Sequence, residues 1–271
     1  MRAVEGSINY TAPMSVRPRY HANDNSKDVL TLDPRTVRIE DERGAAAPPS
    51  LGCEGILLTG HRSAVADFRD GAEVAAVHPA EIERLILEVS GADAAVVTGP
   101  GVLRFGERSG DSGRLNNSRP ARFIHVDISN TTAAAFAERS RPKVADGRRV
   151  RRFAHYNVWR TFSGPPQDVP LTLCDARTIE QQDLVSADAV FDAPGQPEWS
   201  FEGLVVRYNP KHRWVYFSGM TRDEVIVFKT NDSAADEPSQ VPHSAFDDRT
   251  CPAGVPPRSS LEMRAIAYWF A

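Results

Sequence analysis

Apolar and polar positions along the chain change period near residue 91. Before it, in HPAEIERLILEVSG, Ile82, Leu85, Ile86 and Val89 recur at helical spacing. Pro79 suits the first helical position and Gly91 the stop, so an amphipathic helix is expected between them. After it the apolar runs are short and punctuated by Gly, Pro, Asn or Asp: DAAVVTG, RFIHVDIS, YNVWRTF, PLTLCD, LVVRY, RWVYFSG, DEVIVFK and LEMRAIAYWF. These read as strands, as does the early SINYTA. TTAAAFAERS and ARTIEQQDLVSAD read as helices between strands, and residues 33–54, rich in charge, Ala and Pro, read as a surface-running segment. Many strands with few helices imply a mainly β fold with flanking helices: two packed sheets in a cupin-like jelly roll, the double-stranded β-helix. The expected organisation is one domain over 1–271, with an N-terminal extension over about 1–50.

Composition narrows the function classes. A chain of 271 residues, 41% hydrophobic and 25% charged, is ample for one large core. It has no apolar run near the roughly 20 residues of a membrane span, and its first residues lack the apolar core of a secretory signal. Cys53, Cys174 and Cys251 are odd in number and widely spaced, which points to a reducing, cytoplasmic setting rather than a disulfide framework. No Cys-x-x-Cys pair is present, which argues against a thiolate zinc site. The net charge of −4 argues against nucleic-acid and membrane partners. Residues 139–152, RSRPKVADGRRVRR, run against that average. They suit either a phosphate patch or a solvated basic connection, and the lack of interleaved aromatics favours the connection.

The candidate chemistry lies in separated segments. His125 and Asp127 sit in FIHVDIS, and His243 far downstream in VPHSAFDD. With 7 His and 36 acidic residues, about one His-x-Asp or His-x-Glu pair arises by chance, so the pair needs its context. On a strand, residues two apart share a face, so His125 and Asp127 can grip one ion; the bland alternative is a core histidine beside a solvated Asp. Two histidines and a carboxylate are the donor set of non-haem Fe(II) sites that keep open positions. Arg258, Ser260, Glu262 and Arg264 alternate along the last strand and share a face. An Arg-x-Ser pair suits the far carboxylate of 2-oxoglutarate, with Arg264 as alternate anchor and Lys229 ranked below Arg258. Asn157, Arg160 and Tyr216 are candidate substrate contacts for a small molecule; Trp159 reads as core, Asp223 and Glu224 as turn or surface residues.

HVDIS, YNVWR, PLTLCD, RWVYFSGMTRDEVIVFKTNDS, PHSAF and PPRSSLEMR, in that order, resemble the CmcJ-like iron/2-oxoglutarate oxygenases over about residues 50–270. The resemblance implies a double-stranded β-helix, Fe(II) held by His125, Asp127 and His243, and 2-oxoglutarate and dioxygen as cosubstrates. It also implies Arg258 binding the oxoglutarate with Ser260 assisting, and hydroxylation, desaturation or oxidative ring closure of a small metabolite. Two segments depart from the family pattern. Ser218 and Gly219 stand where a Pro-containing version is usual, and VVTGPGVLRFGERSG lacks the usual histidine. The alternatives are a cupin-type metal enzyme that does not use oxoglutarate, or a non-enzymatic binding module docking through the basic stretch.

Overall fold

The computed structural model describes residues 2–271. In chain order its elements are β1 (Ala3–Thr11), β2 (Arg19–His21), β3 (Leu32–Asp41), β4 (Ile56–Gly60), α1 (Gly71–Ser90), β5 (Ala94–Val97), β6 (Val102–Phe105), β7 (His125–Val126) and α2 (Asn130–Ser140). There follow β8 (Val150–Thr161), β9 (Leu171–Cys174), β10 (Leu184–Phe191), β11 (Trp199–Val206), β12 (Trp214–Tyr216), β13 (Glu224–Asp232), β14 (His243–Ala245) and β15 (Ser259–Phe270).

Two sheets form the expected jelly roll. A nine-stranded sheet runs β1-β3-β12-β9-β14-β7-β11-β10-β2, and a six-stranded sheet runs β4-β13-β8-β15-β5, with β6 also on β15. Leu171, Leu173 and Val215 of the first meet Trp159, Ile226 and Phe228 of the second. On β8 and β15 the alternate residues Tyr156, Val158, Leu261, Met263 and Ala265 face the other way, onto Val74, Ile82, Leu85 and Ile86 of α1. Strands covered on both faces bury nearly every residue, which is why β8, β13 and β15 read so clearly as apolar runs. Their inward positions are unusually polar: Asn157 on β8, and Ser260, Glu262 and Arg264 on β15.

Several local expectations change. Helix α1 starts about two turns before Pro79, capped by the Asp70 carboxylate, which accepts from the Ala72 and Glu73 amides. Pro79 lies inside the helix, while Gly91 closes it in the left-handed conformation as expected. Residues 32–41 form a strand paired with β1 and β12 rather than a loop. One face of β3 is solvated, so LDPRTVRIED reads as polar although Ile39 is core. ARTIEQQDLVSAD is no helix. Asp175 accepts from the Arg177 amide and Asp183 from the Glu180 amide, so polar side chains take the local backbone donors and leave two short 3-10 turns before β10.

Candidate active site

Strand β7 is only two residues long, and it brings the site together. It pairs with β11 on one side and β14 on the other, with His125 directly opposite His243. The two imidazole centroids are 4.4 Å apart. Asp127 follows just beyond the strand, its carboxylate 3.8 Å from His125 Nε2. Among the described residues these three form the one group of metal-ligand type, with ligand atoms all within 4.8 Å of one another and all three side chains buried.

The surroundings suit a cation. His125 Nδ1 lies 3.1 Å from the Phe123 carbonyl and His243 Nδ1 3.2 Å from the Val241 carbonyl. A carbonyl only accepts, so each Nδ1 carries the proton and each Nε2 keeps a free lone pair. Burial, then the neighbouring His243, pushes His125 down to about 3, so the ring is neutral at pH 7. Burial also opposes the charge of Asp127, but Arg264, the two histidines and the Asn157 amide together outweigh it and hold the carboxyl below the ordinary range. Arg264 Nη2 donates to Asp127 Oδ1 at 2.8 Å and Asn157 Nδ2 to Oδ2 at 2.5 Å. Each carboxylate oxygen therefore has one donor and one lone pair left over.

The arginines divide into paired and unpaired. Arg264 also meets Glu262 at 2.9 Å, and these two carboxylates keep it firmly cationic against the cost of burial. Arg258 is 1% exposed and makes no ion pair among the described residues. Its Nη1 donates to the Val169 carbonyl at 2.8 Å, its Nε has no partner, and its guanidinium lies 5.8 Å from the Trp159 ring centre. Burial, then Arg104 and Arg122, pushes Arg258 down to about 9. Glu107 and Asp168 oppose that shift from nearby, but neither forms an ion pair with the guanidinium. Ser260 Oγ donates to the Arg104 carbonyl at 3.2 Å.

Other sequence candidates lie elsewhere. Arg160 is on the α1 face of β8, bonded to His61 and set 4.8 Å over Phe68, away from His125. Tyr216 packs edge-on against Phe246 in the outer cluster with Tyr10 and Trp214. Neither reaches the cavity, because each is one residue out of phase with an inward neighbour, Trp159 and Val215. Lys229 is held by Asp232 and Glu237. The basic stretch is partly used internally: Arg152 pairs with Asp232 and Arg141 with Glu138, and Arg148 covers Phe270. Sequence reasoning missed Arg104, Tyr20 and Asn117, which line a cavity with His125, Asp127 and Arg264. For Arg104 the available signal was its place in VLRF, where an arginine alternates with apolar residues before a glycine.

A family model described as "Oxidoreductase/YMDC permease-like domain" matches residues 8–268. The chain belongs to this oxidoreductase family. Among curated relatives of the oxidoreductase, "Hydroxylase/desaturase CTB9" of Cercospora beticola is 29% identical over 252 residues, spanning 87% of this chain and 76% of the relative. The "Fe(II)/2-oxoglutarate-dependent dioxygenase nvfI" of Aspergillus novofumigatus is 29% identical over 201 residues, 73% of this chain and 69% of its own. A solved structure described as an "iron and alpha-ketoglutarate-dependent endoperoxidase NvfI" superposes with a TM-score of 0.84 over 100% of this chain and 99% of that one, at 22% identity. That likeness establishes the oxidoreductase fold as the one seen there. No helix among the described residues is long and apolar enough to cross a membrane.

Proposed function

We propose that this oxidoreductase is an Fe(II)- and 2-oxoglutarate-dependent oxygenase acting on a small metabolite of secondary metabolism, of the CmcJ-like group. The observation that carries the reading is the buried His125–Asp127–His243 cluster, with both Nε2 lone pairs free and the carboxylate held ionised. That donor set fits Fe(II), and the three residues would hold it. Bound there with 2-oxoglutarate, the iron would supply the activation of dioxygen for oxidising a C–H bond. The names of the two curated relatives, one a hydroxylase/desaturase and one an Fe(II)/2-oxoglutarate-dependent dioxygenase, agree with this chemistry.

The chain's own residues position and exclude. Arg258 binds the distal carboxylate of 2-oxoglutarate, with Ser260 assisting, because it is buried, keeps a bare Nε and makes no ion pair among the described residues; Arg160 shares these features but lies on the α1 face of β8, bonded to His61. Arg264 acts with Asn157 on Asp127, and its two carboxylate partners leave it a poorer anchor. The same unpaired Arg258 weighs against a cupin-type enzyme that does not use oxoglutarate. Cys53, Cys174 and Cys251 are all unpaired, in keeping with a cytoplasmic setting.

Anaerobic titration is expected to give one Fe(II) per chain, lost in His243→Ala. With oxoglutarate and oxygen, succinate should form in the presence of Fe(II) and not of Zn(II). Full iron binding and full turnover in His243→Ala would falsify the assignment.

A further inference from the structure

Two cavities meet at Asp127 and Arg264. One, of about 440 Å³, carries the charged side chains of Arg104, Arg119 and Glu107 in its lining. The other, of about 660 Å³, has an aromatic wall of Phe136, Phe191, Trp199 and Phe201. Its volume is in the roughly 300–1,000 Å³ range of sites that enclose a drug-sized molecule.

The aromatic wall is built by one hairpin. Phe191 ends β10 and Trp199 begins β11, and the two are direct cross-strand partners. Phe201 is two residues further along β11, hence on the same face. The Phe191 and Trp199 rings stack at 4.5 Å and 18°, the Phe191 and Phe201 rings at 5.1 Å and 27°, and Phe136 of α2 closes edge-on against Phe201 at 5.2 Å. Such a stack would ordinarily be core, yet Trp199 is 52% exposed, while Trp159, Trp214 and Trp269 are buried. An aromatic face left in water in a cavity that reaches Asp127 is apolar area that a ligand would cover.

The charges narrow the ligand further. Among the described residues Asp127 is the one carboxylate in this lining, and Arg264 already neutralises it. Arg139 also stands in the wall, its guanidinium 4.7 Å from the Phe136 ring centre and without an ion pair among the described residues. The cavity thus offers flat apolar surface and positive charge, and no free anion.

We propose that the β10–β11 aromatic hairpin is the substrate platform of this enzyme, and that its substrate is a flat, ring-bearing, largely apolar molecule without positive charge, stacked on Trp199 and Phe191. This rests on reading His125, Asp127 and His243 as the metal centre, because Asp127 is where the cavity meets it.

The test is calorimetric titration of the metal-free full chain with 2-naphthol, 2-naphthoate, 2-naphthylmethylamine and glucose. Naphthol and naphthoate should bind and shield Trp199 from acrylamide quenching. The ammonium analogue should bind about tenfold more weakly or worse, and glucose should not bind. Loss of stacking and contact area in Trp199→Ala should weaken naphthol about tenfold, whereas Trp199→Phe should stay within about threefold of the parent. Near-ultraviolet dichroism checks that each variant keeps its fold. Naphthol affinity indifferent to Trp199→Ala and Phe191→Ala, or equal binding of the ammonium analogue, overturns the proposal. A failure of the metal reading would look different: no Fe(II) or oxoglutarate binding, with naphthol binding still sensitive to Trp199.

Discussion

Arg258 and Arg264 sit six positions apart around the start of one strand, and their surroundings differ. Arg264 already has two carboxylates, while Arg258 is buried with a bare Nε and like charges nearby. If Arg258 binds the distal carboxylate of oxoglutarate as proposed, removing its guanidinium would leave that carboxylate desolvated and unpaired, at a cost of about 2–5 kcal/mol. Arg258→Ala is therefore expected to weaken oxoglutarate about 30-fold or more with Fe(II) affinity nearly intact. Arg264→Ala and Asn157→Ala should show the reverse pattern. Each removes a donor that orients Asp127, and loss of such support typically lowers metal affinity about 10–100-fold. Titrations of metal and of oxoglutarate on the same three variants decide the matter. If Arg264→Ala abolishes oxoglutarate binding while Arg258→Ala leaves it unchanged, the two roles are swapped.

At the scale of elements, the site depends on how closely β11 passes the segment carrying Asp127. Gly203 of β11 makes that approach possible. A Cβ there would stand 2.6 Å from the Tyr20 hydroxyl and 3.0 Å from the Asp127 carbonyl oxygen. Gly203→Ala must push the Tyr20 ring aside and crowd the backbone of the candidate ligand Asp127, and Fe(II) affinity is expected to fall about tenfold or more. Adding Tyr20→Phe deletes the nearer clashing atom and should recover part of the loss; no recovery would place the strain on the Asp127 carbonyl instead. Gly203 gave no sign of this in EGLVV, because the approach is between strands distant in sequence. The same reason explains Arg104, Tyr20 and Asn117, which reach the cavity from three separate segments. By contrast β8, β13 and β15 were legible because burial on both faces leaves long apolar runs. That His125, Asp127 and His243 would come together was legible because the order of flanking motifs supplied a context that His-x-Asp alone lacks. Strand parity was the limit for Arg160 and Tyr216. Their segments were recognised, but a shift of one position decides which face a side chain takes. The start of α1 was obscured because GAEVAAV is rich in Ala, with Val74 and His78 its only buried residues before Pro79, and the stripe becomes regular only at Ile82.

The molecule as a whole keeps several histidines neutral by burial, and this sets its response to acid. His155 faces the aromatic cavity, with Nε2 3.0 Å from the Ala133 carbonyl, and burial pushes it down to about 4. His78, under α1, is likewise pushed down to about 4 by burial, despite a contact with Glu81 at 2.9 Å. Both folded values lie below the unfolded value of about 6.5. Between those limits the unfolded chain binds more protons than the folded one, so stability rises with pH across the window. The contribution is fully present above pH 6.5 and is lost progressively as the pH falls toward 4. Each such histidine changes stability by at most about 1.4 kcal/mol per pH unit inside the window. The metal-free protein should therefore have a lower urea midpoint at pH 5.5 than at pH 7.5. His155→Gln keeps a donor for the Ala133 carbonyl and removes one titrating group, so its loss between the two pH values should be smaller than the parent's by about 1 kcal/mol. Comparing parent and variant cancels the titration of His125 and His243, which both carry. An identical pH dependence in the two proteins would mean that His155 titrates in the fold as it does in the unfolded chain, and the burial argument for it would be wrong.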